Sequence, residues 1–77
     1  MDTEDYSKEQ LWQILVDTVH GMVMYVNHKA YIRGTMIIEK PDITTKEVAG
    51  KLNIPLGEAL VIMYELEMEK KEGQNSD

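Results

Sequence analysis

Apolar residues recur along this chain at helical spacing, in blocks separated by short polar breaks. Over residues 8 to about 26, Leu11, Leu15, Val19, Met22, Val23 and Val26 fall on one stripe, which predicts a long first helix. Ser7 stands before it with Gln10 three residues on, the spacing of a capping box. Trp12, Ile14, Val16, Met24 and Tyr25 lie off the stripe, so this helix is apolar over more than a core-facing arc and calls for a second contact surface. Gly21 falls inside it at a cost of about 1 kcal/mol relative to Ala, which points to a close crossing by another helix or to a local kink. Asn27 and His28 mark the first break.

Residues 29–40 (KAYIRGTMIIEK) can be read as helix or as strand. Gly34 and the β-branched Ile32, Thr35, Ile37 and Ile38 suit a strand. Pro41 ends the element in either case. The next block is sharper. Thr44 and Glu47 have capping-box spacing, and Val48, Ala49 and Leu52 form the inward stripe of a short helix over 45–52. Asn53 follows where the chain must turn, a position suited to a left-handed residue. Pro55 can open the last helix, where its missing N–H costs nothing. That helix is expected over 55–71, with Glu58 near its start and Lys70 and Lys71 near its end complementing the dipole. Gly73 is expected to stop it. Residues 1–6 and 73–77 read as disordered tails of a single domain spanning 1–77.

The order T-x-x-E-x-A-x-x-L (Thr44, Glu47, Ala49, Leu52), turn, helix resembles the helix-turn-helix and winged-helix superfamily over roughly residues 30–71. The resemblance implies an all-α, tri-helical helix-turn-helix core (about 30–40, 45–52 and 55–71) with an added N-terminal helix and no C-terminal wing. It favours helix over strand for 29–40, because Pro41, Asp42, Ile43 and Thr44 follow that segment as they follow the first helix of the pattern. In that superfamily the outward face of the last helix is usually polar or basic. With Ala59, Ile62, Met63 and Leu66 as the core stripe, the outward positions here are Leu56, Glu58, Leu60, Val61, Tyr64 and Glu65, which are apolar or acidic.

Charge sharpens that contrast. The net charge is −6 and the isoelectric point about 4.8, which disfavours general affinity for nucleic acid. The middle third is mildly basic, with Lys29, Arg33, Lys40, Lys46 and Lys51 against Glu39, Asp42 and Glu47, between two acidic flanks. Candidate phosphate contacts, by position in the pattern, are Arg33, Lys40, Thr44, Thr45, Lys46 and Lys51. The competing reading is that these are ordinary solvating charges. Candidate protein-interface residues are Trp12, Val16, Leu56, Leu60, Val61 and Tyr64, unless they are simply core.

Other chemistry is sparse. There is no cysteine, hence no disulfide or thiolate metal site, and a reducing compartment suits the chain. His20 and His28 lack a carboxyl at i+3 or i+4 and make a poor metal pair. No nucleophile–base constellation, phosphate-cradling loop or enclosed substrate pocket is suggested, so no enzyme, cofactor or small-molecule substrate is expected. The acidic opening does not read as a signal peptide, and the longest apolar run, residues 22–26, is too short to span a membrane. The expectation is a cytoplasmic, non-enzymatic interaction module, homodimeric or bound to a protein partner, associated with transcription or another nucleic-acid process. The alternative is a direct DNA-binding regulator.

Overall fold

The computed structural model describes residues 6–74, and everything below concerns them. The expected disorder of residues 1–5 and 75–77 lies outside them. The architecture is all-α, with no strand among the described residues. Helix α1 spans Lys8–His20, α2 Tyr25–Tyr31, α3 Ile37–Glu39, α4 Thr45–Leu52 and α5 Leu56–Gln74. A π-helical turn, Ile32–Met36, joins α2 to α3 without a break. No helix is long and apolar enough to cross a membrane.

Ser7 caps α1 as its spacing predicts. Its Oγ accepts from Gln10 N at 3.1 Å, and Gln10 Oε1 accepts from Ser7 N at 2.7 Å. The helix stops earlier than its apolar stripe suggests. Gly21 is the C-cap, its N–H donating to the carbonyls of Asp17 and Thr18 at 3.2 Å, and residues 21–24 turn the chain. Gly21 is thus a terminus, and Asn27 and His28 lie inside α2. With the helical phase reset at that turn, Val19 is buried while Val23 and Val26 face solvent.

Helix prevails over strand in residues 29–40. Lys40 leaves the helical region (φ −140°, ψ 87°) immediately before Pro41, whose ring disfavours α geometry in the preceding residue. In α4 the capping box is complete, with Thr44 Oγ1 accepting from Glu47 N at 3.1 Å and Glu47 Oε1 from Thr44 N at 3.0 Å. Asn53 is left-handed (φ 56°, ψ 47°), and the Ile54 N–H donates back to the Ala49 carbonyl at 3.1 Å. Helix α5 runs past Gly73 to Gln74, beyond the stop expected there.

One core joins three helical stretches. Ile32 and Met36 from the π turn, Ile43, Val48 from α4, and Ala59, Ile62 and Leu66 from α5 form a buried cluster. Each of these side chains except the small Ala59 contributes about 1.5–3 kcal/mol through burial. Tyr25, Ile37, Ala49, Leu52, Ile54 and Met63 pack against its edges. Helix α1 lies against α5 as the added N-terminal element. The close approach anticipated at Gly21 occurs instead at Gly57, where a Cβ would stand 3.1 Å from Leu15 Cδ1.

Candidate functional site

Helix α5 divides its side chains among three tasks. One face supplies Ala59, Ile62 and Leu66 to the core, as expected from the sequence, with Met63 half-buried beside them. A second face is polar and turned toward α2. The third carries Leu56, Leu60, Tyr64 and Met68, which are 51%, 44%, 51% and 40% exposed. These four are spaced i, i+4, i+8 and i+12 and so form one continuous ridge along the helix. Trp12 of α1 borders it, its ring edge-on to Tyr64 with centroids 5.1 Å apart and planes at 72°. Lys8, Glu9, Trp12, Gln13, Leu60 and Tyr64 line a shallow groove at that border.

Leu56, Leu60 and Tyr64 are therefore on the outward face where sequence placed them, and Met68 extends it. Val61 is not. It is 0% exposed, because α1 packs over the side of α5 that the tri-helical pattern leaves open. Trp12 and Val16 are half-buried on α1, so they are only partly available as interface. Glu58, also expected outward, is 1% exposed.

The candidate phosphate-binding residues are scattered among other duties. Arg33 pairs with Glu69 (Nη1–Oε1 3.2 Å), and Lys40 with Glu47 (Nζ–Oε2 2.5 Å). Thr44 is committed to capping α4, and Thr45 is half-buried. Lys46 and Lys51 are exposed, and neither makes an ion pair among the described residues. Of the six, Lys40 and Lys51 line one pocket together, beside Tyr31, Glu39 and Ile43.

The polar face of α5 forms a clamp that sequence reasoning missed. His28 donates from Nδ1 to Glu58 Oε2 at 2.6 Å, and His20 from Nε2 to Glu65 Oε2 at 2.7 Å. Tyr25 donates its hydroxyl to Glu65 Oε1, while Lys29 reaches Glu69 Oε2 at 2.6 Å and Glu65 Oε1 at 3.4 Å. Burial alone would push the Glu65 carboxyl upward, but the bonds from Tyr25 and His20 and the charge of Lys29 hold it below its ordinary value. Lys29 is pushed down by burial and raised by more through Glu69 and Glu65, for a net rise. Burial, then the bond to Glu65, raises the Tyr25 phenol. The signal was present in the spacing: Tyr25, His28 and Lys29 share one face of α2, and Glu58, Glu65 and Glu69 one face of α5.

The clamp turns Glu58, Glu65 and Glu69 toward α2, so the ridge itself is made of uncharged side chains, with Lys8 and Glu9 beside Trp12 at its border. Against protein-family models, curated proteins and solved structures, the chain finds no match.

Proposed function

We propose that this chain is a non-enzymatic protein-interaction module, helix-turn-helix-like in its chain order, that docks a protein through the outward ridge of α5. One observation carries the reading: four large apolar side chains, Leu56, Leu60, Tyr64 and Met68, stand in an unbroken row on a face where a base-reading helix needs donors and cations. Aromatic anchors at the centre of such a surface, here Tyr64 and Trp12, are the groups whose truncation usually costs most. The likeness of the Thr44–Leu52 segment to transcription-related helix-turn-helix proteins supplies the setting, a transcriptional or other nucleic-acid-associated process.

The competing reading, direct binding of duplex DNA, is favoured by Lys46 and Lys51, both exposed and outside the ion pairs among the described residues. Two titrations separate them. An environment-sensitive apolar dye (Nile red) should brighten on the wild type and lose that response in Leu60→Glu and Tyr64→Ala. A labelled random-sequence duplex at low salt should show no change in anisotropy. Salt-sensitive duplex binding that weakens in Lys46→Ala and Lys51→Ala, with no dye response, overturns the proposal.

A further inference from the structure

The geometry points to a second copy of this chain as the occupant of the α5 ridge, crossing it antiparallel about a two-fold axis that passes between Leu60 and Tyr64. This rests on the reading of that ridge as a docking face and names what docks there.

The first argument is shape. Residues 56, 60, 64 and 68 make a single row of i±4 type, and such ridges most commonly interdigitate with the equivalent ridges of another helix, at a crossing angle of about −50°. A second copy offers that row by construction. In the antiparallel sense, Leu60 of each copy meets Tyr64 of the other at the centre, with Leu56 facing Met68 farther out. Away from the crossing point the helices diverge. Trp12, set beside Tyr64, stands at the mouth of that widening angle.

The second argument is charge. At net −6, two copies repel at a distance, so self-association requires a contact surface free of acidic excess. The clamp provides one. Glu58 is buried, while Glu65 and Glu69 are held by His20, Tyr25, Lys29 and Arg33 on the side facing α2. The charges bordering the ridge come as neighbours of opposite sign, Lys8 with Glu9 on α1 and Glu67 with Lys71 on α5. A two-fold contact sets the Lys8–Glu9 pair of one copy against the same pair of the other. Lysine can then meet glutamate in both halves, which makes the patch complementary to itself. An unrelated acidic or basic partner has no such match.

The test is sedimentation equilibrium from low micromolar to several hundred micromolar protein, with the emission of Trp12, the single tryptophan, recorded on the same samples. The mass should rise to that of a dimer, with a blue shift of the emission in step. Leu60→Glu and Tyr64→Lys should each raise the dissociation constant about tenfold or more. An equimolar mixture of the two variants should recover association, because antiparallel pairing sets the new glutamate against the new lysine. Far-UV circular dichroism establishes that both variants fold; should either not, Leu60→Gln and Tyr64→Gln replace them in the single-variant comparison.

Wild type that remains monomeric overturns the inference. The dye then separates the two levels: Nile red bound by that monomer and lost in Leu60→Glu preserves the docking face and rejects the second copy, whereas no dye response rejects both. A dimer indifferent to both single variants places the interface elsewhere and overturns inference and reading together. A dimer weakened by each variant but not recovered on mixing overturns the antiparallel arrangement.

Discussion

His28 and Glu58 meet at 2.6 Å between α2 and α5, yet only one of the two Glu58 carboxyl oxygens is used. Oε1 is buried and has no hydrogen-bond partner among the described residues. The attraction within such a pair is set against the cost of removing the carboxyl from water. Breaking the pair from one side should therefore be worse than removing the polar group altogether. His28→Ala should lower the unfolding free energy by about 1–3 kcal/mol, because it strands the carboxyl. Glu58→Met, similar in volume and apolar, should be neutral or stabilising. Urea denaturation of the two variants beside wild type checks the ordering, and an equal loss in both would show that the pair is a net source of stability.

Leu60 and Val61 are adjacent in sequence and opposite in fate. Val61 is wholly buried, so Val61→Glu forces a carboxyl into an apolar site and should cost about 3 kcal/mol or more, enough to unfold much of a small domain. Leu60→Glu changes a half-exposed position and should stay within about 0.5 kcal/mol. Thermal melts by circular dichroism at high dilution, where no association contributes, distinguish them.

Asn53 holds the turn between α4 and α5 with φ at 56°. A Cβ-bearing side chain with no local polar compensation is disfavoured there, so Asn53→Ala should cost about 1–2 kcal/mol. Asn53→Gly, free of the Cβ penalty, should retain stability near that of wild type. Chemical denaturation of the pair is the measurement, and identical midpoints would mean that the turn relaxes to another geometry.

Acid should weaken the start of α4. The Glu47 carboxyl is held down to about 2 from an ordinary 4.5, first by the bond from Lys40 and then by Thr44. A carboxyl depressed in this way binds its proton less readily in the folded chain than in the unfolded one. Its contribution is complete above 4.5 and disappears as pH falls toward 2. Glu65, also depressed, acts in the same direction. Glu47→Gln keeps the acceptor of the capping box but cannot titrate, so its urea midpoint should fall less across that window than the wild-type midpoint. Parallel declines would remove Glu47 as the source.

The sequence was most legible where structure is local. Thr44 and Glu47 close their own capping box, Asn53 sets its own turn, and Pro55 precedes the last helix whatever packs against it. It was least legible where one helix decides the environment of another. Val61 has the same character whether covered or bare, and only the placement of α1 on α5 decides which. The same holds for Glu58, whose burial depends on α2 bringing His28 to it. Gly21 reads as a close crossing or a kink but is an ending, and residues 22–26 extended the apolar pattern past the true end of α1. The ridge was mostly visible, because outward positions on a long helix follow from its phase. Met68 belongs to the same row and was missed.

The π turn at Ile32–Met36 has a consequence for how this chain can vary in length. One residue in a regular helix corresponds to a rotation of about 100°, so a single deletion ordinarily turns every later side chain off its face. Here the wider turn already accommodates a surplus residue, and it does so next to Gly34, where a side chain would meet nothing within 4 Å. Losing Gly34 would allow the hydrogen bonding to close up into an uninterrupted α-helix, with Ile37 staying near its present direction relative to Ile32. The segment leading into Pro41 is thus a place where the gene could lose one codon and leave a continuous helix.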